Sequence, residues 1–147
     1  MKLSTRGLYA TRALLDVALH QDEAPVLIRD IARRQQISQR YLEHLITPLI
    51  TAGIIASTRG PRGGISLAKP PEDIRLDTVI QLLEGSIAPA ECINNPEICE
   101  RSQSCAARDV WDELKRAMTG VLQSVTLRDL VERQKAKERS TEPMYYI

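Results

Sequence analysis

The chain has 147 residues, 43% hydrophobic and 27% charged, which suits one folded chain and excludes a disordered or fibrous one. Its formal net charge of +1 hides a division: residues 27–69 hold seven Lys and Arg against two acids, a net of +5, whereas residues 70–109 hold three Arg against eight acids, a net of −5. The opening MKLSTRG leads into no apolar run of signal-peptide character, and no stretch reaches the roughly eighteen apolar residues of a membrane span, so a cytoplasmic protein without membrane contact is expected.

Aromatic residues make up 3% of the chain, with no Phe and one Trp, so the core must be built from Leu, Ile, Val and Ala. That composition predicts a mostly α fold. Leu8, Leu14, Leu15, Ala18 and Leu19 recur at helical spacing and predict a first helix from about Ser4 to the turn QDEAP. Leu27, Ile28, Ile31 and Ala32 mark a second, short helix. A turn through Gln35 and Gln36 buries Ile37, and Ser38 then caps a third helix with Leu42, Leu45, Ile46 and Leu49 on its apolar face, closed by Gly53. Two short helices joined by such a turn form the helix-turn-helix pattern, whose second helix enters the DNA major groove. Pro48 lies inside that helix, removes the donor to the His44 carbonyl, and predicts a kink or an early end.

After Gly53 the apolar period shifts to two. Ile54 to Arg59 reads as a strand, GPRGG as a tight reversal and ISLA as the return, giving a small β-hairpin wing. Arg59, Arg62 and Gly63 at its tip are candidates for phosphate or minor-groove contact. On the third helix, Ser38, Gln39, Arg40, Tyr41, Glu43 and His44 form the candidate reading surface. Arg40 can fork onto guanine or phosphate, and Gln39 can pair with adenine. Glu43 is a solvated helix carboxylate or an acceptor for the cytosine amino group; in the second role it would add specificity at a cost in affinity. His44 reads as a surface or phosphate-contacting group.

All three cysteines, Cys92, Cys99 and Cys105, lie in CINNPEICERSQSC. Thiols are normally kept reduced in the cytoplasm, so three together point to a metal or an oxidant sensor. Structural zinc favours Cys-x-x-Cys pairs, absent here, whereas three soft donors on one long loop suit an iron–sulfur cluster. From Ser104, a candidate N-cap, apolar residues recur through Ala106, Ala107, Val110, Trp111, Leu114, Ala117, Met118, Val121, Leu122 and Val125. That stripe is too long for one small winged unit to cover, and predicts a dimerisation helix. Past Val131 the charged stretch ERQKAKERSTEP is expected to be a frayed tail. The boundaries read from the sequence are 1–70 for the winged helix-turn-helix, 71–131 for the cysteine loop and dimer helices, and 132–147 for the tail.

SQRYLEHL, the wing STRGPRGGISLAK, the cysteine loop before a Trp-bearing helix, and VTLRDLV together resemble the Rrf-two family of bacterial winged-helix transcription regulators, most nearly its iron–sulfur-sensing IscR type. The resemblance runs from the first helix to about Val131. It implies a homodimer on palindromic or imperfectly palindromic promoter DNA. The two histidines lie in unrelated contexts, no carboxylates pair at catalytic spacing and the glycine loop lacks the strand-helix setting of a phosphate cradle, so no enzymatic activity and no small-molecule substrate are expected. It also implies a cluster on the three cysteines, and a role for Glu43 in letting the cluster state choose between DNA sites. The IscR type places a histidine three residues beyond the last cysteine, where this chain has Arg108, which stays protonated and cannot be a ligand. Other members borrow an aspartate from the partner's first helix, but RGLYATR has no carboxylate. Asp109, Glu100, a donor from the partner chain, a small thiol or water could take the fourth place, and [4Fe-4S] is favoured over [2Fe-2S] because it can leave one iron open. Two rivals stand beside this reading: a regulator using the thiols as a redox switch or zinc staple, and an iron–sulfur carrier or electron-transfer protein.

Overall fold

In the computed structural model, residues 2–143 are described. Helix α1 (Thr5–Leu19) starts where predicted, with Ser4 Oγ accepting the Gly7 N–H at 3.2 Å. It buries Ala10, Ala13, Leu14, Val17 and Ala18, one face of the helix. Leu8, expected on that face, is instead 47% exposed. Helix α2 (Ile28–Gln35) ends where Gln36 takes a left-handed conformation with φ 55°, after which buried Ile37 donates its N–H to Ala32 O at 3.0 Å. Helix α3 (Gln39–Thr51) is capped by Ser38 and buries Leu42, Leu45, Ile46 and Leu49.

Pro48 does not end α3 early; the helix runs on to Thr51. The carbonyl that loses its donor belongs to His44, an exposed residue. The true stop is Gly53, at φ 73°. Its N–H reaches Ile50 O and the Ile54 N–H reaches Leu49 O, both at 3.0 Å, which satisfies the last carbonyls in a Schellman arrangement.

Strands β1 (Ile55–Thr58) and β2 (Gly64–Leu67) pair antiparallel, Ile55 opposite Leu67 and Thr58 opposite Gly64, shorter than predicted at the first strand's ends. The outer edge of β2 also pairs with Val26 through two 2.8 Å bonds between Val26 and Ile65. This tie holds the wing to the start of α2. It requires Gly64, where a Cβ would lie 2.3 Å from Val26 O.

The core continues beyond the wing. Helix α4 (Leu76–Glu84) buries Val79, Ile80 and Leu83, and α1 packs against both α4 and α7 (Leu127–Thr141). Leu76 N–H to Val125 O at 2.9 Å and Leu127 N–H to Ile74 O at 2.8 Å bring the chain back beside the start of α4. The expected frayed tail is corrected as far as Thr141, because Thr126 and Asp129 form a capping box and Leu127 and Val131 are buried in the shared core. Residues 144–147 of that tail lie outside the described residues.

Between these helices, α5 (Glu91–Asn94) is a single turn, and α6 (Ala106–Ser124) is the longest helix described. None of the residues in α6 is buried; Val110, Trp111 and Val121 are 54%, 39% and 64% exposed. Only Val125, just past its end, is in the interior. The cap of α6 is Cys105, not Ser104, whose hydroxyl turns back to Arg101 O instead. Among the described residues no helix is long and apolar enough to cross a membrane.

Candidate nucleic-acid interface and cysteine loop

Helix α3 presents Gln39, Arg40, Glu43 and His44 to solvent on its first two turns, with Ser38 exposed at the cap. Gln39 Nε2 donates to Glu43 Oε1 at 3.2 Å, so these two groups orient one another before any partner arrives. Tyr41 sits differently. It is half-buried, packs on the core and meets Tyr9 edge-on with ring centroids 6.1 Å apart, so its ring fixes the height of α3 over α1.

The approach of α2 to α1 is set by a buried carboxylate. Asp16 is 2% exposed and accepts from Arg34 Nε at 3.0 Å, Arg34 Nη2 at 2.6 Å and Gln35 Nε2 at 2.8 Å. Hydrogen bonding to Asp16 raises the Arg34 pKa further above its usual value. Arg12 completes the clamp, donating to Gln35 O at 2.6 Å while its guanidinium lies 5.4 Å from the Tyr9 ring centroid. Two of the basic residues counted between 27 and 69 are thereby committed: Arg34 to Asp16 and Arg33 to Asp30. Arg40, Arg59 and Arg62 are exposed and, among the described residues, pair with no carboxylate.

Arg59 and Arg62 stand at the wing tip as predicted. Gly63 does not. It is buried inside the turn with its N–H spent on Gly60 O at 2.9 Å, and a Cβ there would lie 2.3 Å from Thr58 O. Its requirement is geometric, since it lets the hairpin close, and its amide is not free for a phosphate.

The cysteine loop spans α5 to the cap of α6. Cys92 and Cys105 are half-buried, Cys99 is exposed, and all three are free thiols. Among the described residues no group of three or more His, Cys, Asp or Glu side chains is placed to hold a metal ion. The loop is nevertheless anchored. Arg108 Nε donates to Cys92 O at 3.1 Å, tying the first thiol's backbone to the first turn of α6. Asn94 donates to Ser86 Oγ and accepts from Lys115 Nζ at 2.8 Å, a second tie to the same helix. Glu100 and Asp109, the candidate fourth ligands, are both exposed. Ser102, which no sequence signal singled out, is buried, and its Oγ has no hydrogen-bond partner.

Residues 3–133 match the family model Rrf2, described as Iron-dependent Transcriptional regulator. The chain belongs to the Rrf2 family. It is 48% identical over 131 residues to protein rrf2 of Nitratidesulfovibrio vulgaris, covering 89% of this chain and 87% of that one. To the HTH-type transcriptional regulator IscR of Serratia proteamaculans it is 40% identical over 134 residues, covering 91% and 81%. Among solved structures, T. potens IscR superposes with a TM-score of 0.76 at 36% identity, covering 99% of this chain and 97% of that one. CymR, the global cysteine regulator of B. subtilis, superposes at 0.78 with 35% identity, covering 90% and 98%. This Rrf2 chain is accordingly a DNA-binding, winged-helix transcription regulator and not an enzyme. The resemblance drawn from the sequence motifs holds at the level of family and fold.

Proposed function

We infer that the protein is a cytoplasmic homodimer whose grip on double-stranded promoter DNA depends on an iron–sulfur cluster held by Cys92, Cys99 and Cys105. The observation that carries this reading is the mechanical link between loop and helix: Arg108 and Asn94 fasten the cysteine loop to α6, a helix with no buried residue of its own. A second copy of α6 is the natural cover for that face. Whatever orders the loop then bears on the helix that spaces two winged units.

The donor set fits a cluster better than a single ion. Three soft thiolates on one loop, all free, suit binding to different irons of one cluster. A bound cluster would supply a group labile to oxidants and nitric oxide, with [4Fe-4S] favoured over [2Fe-2S] because three thiolates leave one iron for another ligand. The protein's own residues do the reading. Gln39 and Arg40 face the major groove, His44 takes a phosphate, Arg59 and Arg62 take phosphates or the minor groove beside it, and Glu43 sharpens the choice of base.

Anaerobic purification tests the proposal. Protein containing iron and acid-labile sulfide, with visible absorbance lost in Cys92→Ala, Cys99→Ala and Cys105→Ala and promoter affinity altered alongside, is the expected result. Protein without either, and with unchanged affinity in those variants, would refute it. The exposure of Cys99 favours one second reading, a thiol switch on the same scaffold. That alternative predicts zinc or no metal, and affinity that responds to peroxide and is restored by dithiol reductant.

A further inference from the structure

A cleft of about 550 Å³ opens between α4, the turn that follows it and α6, within the size range of small-molecule sites. Its floor is apolar, made by buried Ile80 and half-buried Leu122, and polar side chains from both helices rise around it. Lys115 is the one cation in its lining. It is half-buried, donates to Asn94 Oδ1 at 2.8 Å and, among the described residues, pairs with no carboxylate. Thr119 lies one helical turn further on. Thr11, Thr47 and Thr51 turn their hydroxyls back to the carbonyl four residues earlier, at 2.8, 2.9 and 3.1 Å, whereas among the described residues Thr119 Oγ1 makes no such bond. Asp77, the one acid in the lining, is committed to Arg75. The cleft therefore holds a single uncompensated positive charge, with unused N–H and O–H donors beside it.

We propose that this cleft is a regulatory site for a small organic carboxylate, bound as a ligand and not turned over. The carboxylate meets the Lys115 ammonium and the Thr119 hydroxyl, and a short aliphatic body lies over Ile80 and Leu122. The amide of Gln123, two turns or about 12 Å along α6 from Lys115, takes a polar group at the far end. The site stays open in a dimer. At roughly 100° per residue, Lys115 and Thr119 lie about 150° round α6 from the line of Val110, Leu114, Ala117 and Val121 that a second copy would cover. An occupant also reaches the cysteine loop, because Asn94, which ties that loop to α6, shares the Lys115 ammonium with it. Filling the cleft thus resets the tie, and through it α6, without any cluster chemistry.

The test titrates full-length protein with 5-hydroxypentanoate, its neutral isostere 5-hydroxypentanamide and inorganic phosphate, by ligand-observed NMR, with far-UV circular dichroism as the check on folding. The carboxylate should bind wild type, and the amide and phosphate about tenfold more weakly or not at all. Lys115→Met keeps the aliphatic stem, removes the charge and should weaken carboxylate binding about tenfold. Thr119→Leu fills the cleft without touching the Asn94 tie and should abolish binding; this arm and the amide carry the comparison if Lys115→Met does not fold. Operator affinity should shift about fivefold with the carboxylate in wild type and stay fixed in Thr119→Leu. No binding of 5-hydroxypentanoate up to about 10 mM overturns the proposal, as does equal binding of the amide or phosphate, or binding that both folded variants retain. Binding that leaves operator affinity unchanged overturns its regulatory half. The cleft contains none of the cysteines, so protein without iron serves equally well, and failure here leaves the cluster reading untouched.

Discussion

Arg34 of α2 donates through both Nε and Nη2 to the buried carboxylate of Asp16 on α1, at 3.0 Å or less to its nearer oxygens, and so rivets the helix-turn-helix onto the first helix. Removing one partner leaves the other charge, or its desolvated carboxylate, without compensation. Arg34→Ala should therefore cost about 3 kcal/mol in urea unfolding, and Asp16→Ala a similar amount. The double variant should be less destabilised than the two effects added together, because neither charge is then stranded. Additive losses would show that the pair does not act as a unit.

Acid should loosen two contacts in a defined direction. Asp77 is held below the usual carboxylate pKa chiefly by its hydrogen bonds from Arg75, and Asp129 by the Thr126 N–H and hydroxyl it faces. Each folded pKa lies below its unfolded value, so each group stabilises the fold above the unfolded pKa of about 4, and that contribution fades as pH falls through the folded value. Thermal stability should drop between about pH 4 and pH 2 more steeply in wild type than in Asp77→Asn with Asp129→Asn. At neutral pH, Thr126→Ala should cost roughly 1 kcal/mol by opening the α7 cap.

The wing rests on an absent side chain. Gly64→Ala would put a methyl 2.3 Å from Val26 O, so the β2 edge must part from the start of α2. A loss on the order of 2 kcal/mol is expected, with promoter affinity falling as Arg59 and Arg62 lose their mount. Retained stability and affinity in this variant would mean that the Val26 tie does not position the wing.

Most elements were legible because they rest on local signals. Ser38, the 42, 45, 46 and 49 stripe, Gly53 and the glycine-rich reversal each act within a few residues, and the observed α3 and hairpin follow them. What stayed hidden depends on distant partners. Asp16 reads as one more helix acid until Arg34 folds against it, and Gly64 reads as part of a turn until Val26 approaches. The α7 cap is legible in Thr126-x-x-Asp129, a signal the sequence reading above does not use. Ser102 had no signal at all, since its burial comes from how the loop bends back on itself.

DNA contact should divide by residue type. Arg40→Ala and Arg62→Ala should each weaken binding to all duplexes and reduce the salt dependence of log affinity by about one. Glu43→Ala should do the reverse: it removes a carboxylate from the phosphate field, so affinity for mixed sequences rises while discrimination at one base pair falls. Competition binding against single-base variants of the operator reads this directly. Glu43→Ala binding that weakens uniformly would assign Glu43 to orienting Gln39, whose amide it accepts.

The last expectation concerns the uncovered helix. Val121 is 64% exposed on α6, a helix that contributes no buried residue to the described core. Its substitution should therefore leave the fold of one chain intact. An apolar stripe of five turns needs a cover, and a matching α6 from a second copy supplies one without any polar group being stranded. A carboxylate placed in that seam would be desolvated against its own symmetry mate, where two like charges repel in a poorly screened setting. Wild type should sediment as a dimer and Val121→Asp as a monomer at the same concentration, with far-UV circular dichroism unchanged. Its affinity for a two-half-site operator should collapse toward that for a single half-site, since the gain from joining the two grips is lost. A Val121→Asp protein that remains dimeric would move the interface off this face of α6.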